Sequence, residues 1–180
     1  MSGSQGAYVG LVLLVGVARL VELRVASRNL ARGRARGGAE HGAGHYPVMV
    51  VLHAALLVGC IAEVILADRP LLPWLGWPML GLLVAAHGLR WWCVRSLGPA
   101  WTTRVLVVPG APLVTSGPYR LLRHPNYVAV AAEGVALPLV HAAWLTALLF
   151  TVANAVLLLG VRIPVEERAL RSVSAGRSHP

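Results

Sequence analysis

The chain has 180 residues, 57% of them hydrophobic and 13% charged, with a formal net charge of +9 and a mean hydropathy of +0.67. That balance excludes an ordinary soluble domain and indicates an integral membrane protein. The positive charge does not point to nucleic acid, because most of the basic residues, all of them arginine, lie in the gaps between apolar runs, where such residues set topology.

A bilayer core of roughly 30 Å takes about 20 helical residues. The first apolar run, residues 8–23, carries Arg19 and Glu22 near one end, where long side chains can reach the headgroups, and continues as a surface helix toward Leu30. MSGSQGAYVG lacks the positive n-region of a cleaved signal peptide, so this run is expected to be retained as a span. HGAGH (41–45) reads as a flexible surface loop, since no further metal ligand lies near it.

Residues 47–67 and 74–94 are the second and third spans, with Cys60 and Cys93 expected inside them as buried free thiols. The segment from Ser96 to Tyr127 is broken by eight glycines and prolines and is longer than connections between packed helices usually are, which marks a functional or disordered loop. Within it, RVLVV (104–108) suits a short extended piece, and PYRLL a helical turn with Pro118 at its first position. Residues 128–161 would make a helix of about 50 Å, too long for one crossing. They are expected to fold back at LPLVHAAW, where Pro138 removes a backbone donor and His141 sits in the interface.

Five spans place the arginine clusters after spans one, three and five on one side and leave only Arg69 in the other loops. By the positive-inside rule the N-terminus is outside and the C-terminus in the cytoplasm, in what is expected to be a bacterial cell membrane. Ionisable and polar groups within the runs are Glu63, His87 and Glu133, with His53 and Asn154; each is either a bundle contact or part of a site. No HExxH, CxxC, GxGxxG, Walker or GxSxG pattern occurs, so neither a metal site, a soluble dinucleotide fold nor a serine hydrolase is supported.

Two polar clusters remain, both on the arginine-rich side. GPYRLLRHPNY precedes span four and RIPVEER (162–168) follows span five. A hairpin of those spans brings its open ends together, so Arg123, His124 and Tyr127 approach Arg162, Glu166 and Glu167. Arg162 and Glu166, four apart, lie on one helical face, with Pro164 bending the turn between them. Taken singly, each cluster reads equally as interface anchors or solvated charge.

LVTSGPYRLLRHPNY followed by RIPVEERAL resembles the isoprenylcysteine carboxyl methyltransferase family over roughly residues 95–171. The resemblance implies an S-adenosylmethionine pocket on the cytoplasmic side, with a lipophilic acceptor arriving sideways from the bilayer. Carried over by motif, the cofactor contacts fall on Leu113, Val114, Tyr119, His124, Pro125, Asn126 and Tyr127, with Glu166 facing the cofactor. Arg162 would hold the polar end of the acceptor, and Glu167 or His124 would act as base for an acceptor that is not already anionic. Eukaryotic members have a histidine where this chain has Ala111, and the family usually continues after EExxL with FGxxYxxY where this chain has RSVSAGRSHP. The wall formed by that tail is therefore expected to be missing or differently built. The N-terminal half, through RNL and EHGAGHYP, is similar to a bacterial branch associated with type III polyketide synthases, whose members methylate a hydroxyl of alkylpyrones or alkylresorcinols.

The expected fold is all-α: a polytopic membrane bundle of about five transmembrane helices with a C-terminal hairpin and a cytoplasmic cofactor pocket. Residues 1–95 supply three helices and a basic loop. Residues 96–180 supply the cofactor loop, the hairpin and the catalytic segment of one integrated domain. A membrane reductase using NADPH through a similar RHPxY hairpin, and a non-enzymatic membrane subunit, are the alternatives. The expected partners are membrane lipids and a lipophilic or prenylated substrate, not nucleic acid; the sequence leaves oligomeric state open.

Overall fold

The computed structural model describes residues 2–112 and 114–175. Six α-helices dominate: α1 (Gly3–Ala35), α2 (Tyr46–Leu66), α3 (Pro73–Leu97), α4 (Pro125–Leu139), α5 (Trp144–Leu157) and α6 (Ile163–Ala175). Two three-residue strands, β1 (Ala39–His41) and β2 (Val105–Val107), pair antiparallel, with Glu40 opposite Leu106. The extended piece expected at RVLVV is present. Its pairing with the α1–α2 loop is the one sheet element among the described residues that adds to the expected all-α fold.

Local chemistry sets the element ends. Ser2 and Gln5 form a reciprocal capping box at the start of α1, each side chain accepting from the other's backbone N–H. The helix stops at Gly37, whose positive φ of 78° suits a residue without a Cβ. Pro73 and Pro125 sit in the first turns of α3 and α4, where a missing N–H costs nothing. The bend expected around Pro138 falls between Leu139 and Trp144, with Ala142 in the left-handed region at φ 54°. At 15 residues, α4 is about 22 Å long, shorter than α1, α2 and α3.

The start of α5 carries a cap supplied from another helix. Glu63 on α2 accepts from the Leu145 and Thr146 amides at 3.1 and 2.7 Å and from the Thr146 hydroxyl at 2.8 Å. Arg69 closes the group with an ion pair to the same carboxylate at 2.9 Å. Glu63 is thus a structural contact at the far end of the bundle from both motif clusters. A second buried group joins α1, α3 and α4, where Arg19 pairs with Glu22 and Glu133, and Arg90 donates to Glu22 at 2.9 Å. This corrects the expectation that Arg19 and Glu22 reach out to headgroups: two acids and two arginines neutralise one another inside the bundle, which removes the cost of an isolated buried charge.

His141 also departs from expectation. It is 1% exposed rather than interfacial, because the first two turns of α1 cover it, with Ser4 Oγ 3.3 Å from its Nε2 and the Tyr8 ring against it. His53 and His87 each bond a carbonyl one turn back in their own helices. Cys60 and Cys93 are buried free thiols, as expected.

The core is built from Tyr8, Val12, Leu56, Val64, Leu137 and Phe150, with Gly134 leaving room for the Phe150 ring. Around it the outer faces stay apolar: Leu14, Val51, Trp74, Val84, Leu149 and Val156 are each more than half exposed. An apolar surface of that extent calls for a lipid environment. Two helical stretches, Ala43–Leu66 and Trp144–Arg171, are long and apolar enough to cross a membrane by length and composition. The second shows that α5 and α6 run on as one rod through a π-helical turn at Leu158–Arg162. That wide turn lies just before Pro164, whose ring would clash with the carbonyl one regular turn earlier. The ends of α1 and α3, the starts of α2 and α4, the β pair and α6 gather at one end of the bundle.

Candidate active site

At that end lie the open ends of the α4–α5 hairpin, and the two motif clusters meet. His124, just before α4, places Nδ1 3.6 Å from Glu166 Oε1 and Nε2 3.5 Å from Glu167 Oε1. Its ring stacks on Tyr127, centroids 5.5 Å apart. The Tyr127 hydroxyl donates to Glu166 and accepts from Arg162 Nε at 3.0 Å. Tyr127 therefore joins the acid pair to the arginine.

Arg162 is 5% exposed, and its guanidinium is held on three sides by neutral acceptors. Besides Tyr127 these are the Thr103 carbonyl, 2.9 Å from NH2, and His45 Nε2, 3.1 Å from NH1. No carboxylate pairs with it among the described residues. A buried cation satisfied in hydrogen bonds but not in charge favours an incoming anion. In front of it lies a cavity of about 60 Å³, lined by Arg162, Tyr127, Asn126, Arg90, His53 and Asn154 with apolar Met49, Val130 and Leu158. Neither His124, Glu166 nor Glu167 lines it. The site thus has two compartments: a partly open acidic side, where Glu166 and Glu167 are 28% and 34% exposed, and an enclosed cationic side facing the bundle interior.

The remaining candidates distribute unevenly between these compartments. Tyr119 lies in the turn before α4, and burial, followed by the Cys93 thiol and Glu166, pushes its hydroxyl up. Pro125 is fully buried at the start of α4, and Val114 is half-buried in the loop. Asn126 turns toward the cavity, where Arg90 NH1 lies 3.4 Å from its Oδ1, rather than toward the acid pair. Arg123, expected to join the cluster, is exposed. Leu113 lies outside the described residues.

Three participants escaped the sequence. Arg90 is the one arginine inside the run 74–94, and that signal was available. His45 belongs to the glycine-rich loop expected to be a free surface; instead it is drawn to the site by the β1–β2 pair. Thr103 contributes through its carbonyl, which no residue pattern reveals. The loop carrying Thr103 is itself anchored by Asn29 of α1, whose amide donates to the carbonyls of Gly98 and Trp101 at 3.2 and 2.9 Å. Beside it, Glu40 of β1 pairs with Arg34 and with Arg104, at 2.7 Å for the latter. Burial opposes the Glu40 charge, but bonds from Arg104 and Arg34 outweigh it and hold the carboxyl below the usual carboxylate range.

Residues 79–172 match the profile of the isoprenylcysteine carboxyl methyltransferase family. The chain is also similar to the uncharacterized protein YpbQ of Bacillus subtilis (strain 168), with 39% identity over 165 residues, covering 91% of this chain and 96% of the relative. The family profile contains every expected site residue, whereas β1 and His45 lie before it.

Proposed function

Starting from the fact that this chain belongs to the isoprenylcysteine carboxyl methyltransferase family, we propose that it transfers a methyl group from S-adenosylmethionine to an oxygen of a lipophilic acceptor at the cytoplasmic membrane face. The observation that carries this reading is the uncompensated Arg162 guanidinium, aimed into a small half-apolar cavity and linked through Tyr127 to Glu166.

The acidic side fits the cofactor's chemistry. Glu166 and Glu167 offer negative charge to a sulfonium or an ammonium, and the stacked His124 and Tyr127 offer flat faces. His124 Nδ1 is buried without a hydrogen-bond partner, a vacancy that a ligand's polar group would fill. Tyr119, His124, Pro125, Tyr127 and Glu166, with Val114 and Leu113 from the loop, would hold it. When bound, the cofactor supplies an electrophilic methyl, so that a carbon–sulfur bond breaks as a carbon–oxygen bond forms and a neutral thioether leaves.

The chain's own task is alignment and exclusion of water. Arg162 would fix the acceptor oxygen as an anion, and the apolar cavity wall would receive its first carbons while the tail stays in lipid. For an acceptor that must lose a proton, His124 and Glu167 are the base and its partner, within 3.5 Å of each other. The gathering of the exposed Arg24, Arg28, Arg120 and Arg168 at the site end supports an orientation with that end cytoplasmic and the N-terminus outside, as a five-span topology requires.

The test is incubation of the purified protein with methyl-labelled S-adenosylmethionine and prenylcysteine, alkylpyrone and alkylresorcinol acceptors, followed by lipid extraction. Label in an extracted acceptor, lost in Arg162→Ala and Glu166→Ala variants that remain folded, is the expected result. Retention of NADPH with no methyl transfer to any acceptor would overturn the proposal.

A further inference from the structure

The HGAGHYP stretch has no part in the methyl-transfer chemistry above, yet its last histidine touches the acceptor side. We infer that His45 is a positioning residue: its imidazole, accepting from Arg162 NH1 through Nε2, fixes the guanidinium in the orientation that receives the acceptor's anionic oxygen. The inference rests on the methyltransferase reading.

Three observations carry it. An arginine has five N–H donors in a rigid fork, and Arg162 is fastened at all three of its nitrogens: Nε to Tyr127, NH1 to His45 and NH2 to the Thr103 carbonyl. Each nitrogen is held by an uncharged oxygen or nitrogen, so the plane of the fork is set while its charge remains for a ligand. A carboxylate at the place of His45 would fix the fork equally well but neutralise it. A neutral imidazole orients without neutralising, provided its other nitrogen carries the proton.

Second, the loop is shaped to deliver that ring. Gly42 adopts φ +66°, and a Cβ there would overlap the His45 imidazole and Val165 of α6. Glycine therefore allows the ring to pass between its own backbone and the helix that carries the acid pair. Third, the two outer acceptors are delivered by one device. His41 pairs with Val105 across the strands, so His45 follows β1 by four residues and Thr103 precedes β2 by two. Between them, Arg104 lies 4.3 Å over the Tyr46 ring, and the Tyr46 hydroxyl accepts from Thr103 Oγ1 at 3.4 Å. The strand pair thus sets both outer arms of the clamp, and the α1–α2 loop takes part in acceptor recognition.

His45→Leu removes the acceptor atom and keeps an apolar side chain. His45→Gln restores an uncharged acceptor at similar reach. With the full-length protein and the prenylcysteine and alkylpyrone acceptors, His45→Leu is expected to raise the KM of the methylated acceptor at least tenfold, while the dissociation constant for S-adenosylmethionine stays within twofold of wild type. His45→Gln is expected to recover acceptor KM to within threefold. A readout independent of turnover is nitrogen NMR of histidine-labelled protein, in which the His45 signal, identified by its loss in His45→Gln, should report an unprotonated Nε2 and shift in Arg162→Ala. An active wild type with unchanged acceptor KM in His45→Leu, or a protonated Nε2, would overturn the inference and leave the methyltransferase reading standing. A wild type that methylates no acceptor would instead overturn the reading itself.

Discussion

Replacing Tyr127 by phenylalanine removes one oxygen and keeps the ring, so it isolates the link between the two compartments. The hydroxyl accepts from Arg162 Nε at 3.0 Å and donates to Glu166, and the ring packs on His124. The arginine keeps two of its three bonds, to His45 and Thr103, and stacking on His124 persists, so the fold should survive. A hydrogen bond to a charged group contributes about 1.5–3 kcal/mol. If the equivalent of one such bond is lost from the aligned complex, kcat/KM falls about 10- to 150-fold, at about 1.36 kcal/mol per decade. The assay is label transfer from S-adenosylmethionine into extracted acceptor, with thermal unfolding of the same preparations as control. Activity of Tyr127→Phe within threefold of wild type, where Arg162→Ala is inactive, would refute the claim that this hydroxyl couples the acidic and cationic sides.

Glu63→Ala takes away the cap of α5 and the partner of Arg69. A loss of about 1–3 kcal/mol follows, or a Tm lower by about 2–12 °C. Activity per folded molecule should stay within threefold, because Glu63 sits at the end of the bundle away from the site. Glu40 gives a pH dependence of defined sign. Its folded-state pKa lies below the ordinary value of 4.5, so its contribution to stability is complete above that value and is lost as pH falls through the lower, folded-state one. Denaturation of Glu40→Gln should show a deficit against wild type at pH 7 that shrinks below about pH 4.5; a constant deficit would contradict the ion-pair account. Arg34 is 53% exposed, so that deficit should be modest and should shrink with added salt.

Much of the architecture was legible because it rests on length, hydropathy and proline. Residues 128–161 could not be one crossing, Pro138 marked the bend, and the hairpin then had to bring His124 toward Glu166, as it does at 3.6 Å. What stayed hidden depends on partners far along the chain. Arg19 and Glu22 look like headgroup-reaching residues at the end of an apolar run. Only Arg90 and Glu133, contributed by α3 and α4, turn them inward. Three-residue strands carry no periodicity, so the pairing of Ala39–His41 with Val105–Val107 left no trace, and with it the route of His45 to Arg162 was lost. The spacing of Arg162 and Glu166 suggested a shared helical face. What the spacing could not show is that both side chains meet at the Tyr127 hydroxyl.

In the proposed function labour divides across Tyr127, with Glu166 serving the cofactor and Arg162 the acceptor. Equilibrium binding of labelled S-adenosylmethionine to wild type, Glu166→Gln and Arg162→Ala in the absence of any acceptor separates the two roles. Affinity is expected to fall at least tenfold in Glu166→Gln and to stay within threefold of wild type in Arg162→Ala. Equal affinity in all three proteins, or a greater loss in Arg162→Ala than in Glu166→Gln, would contradict that division.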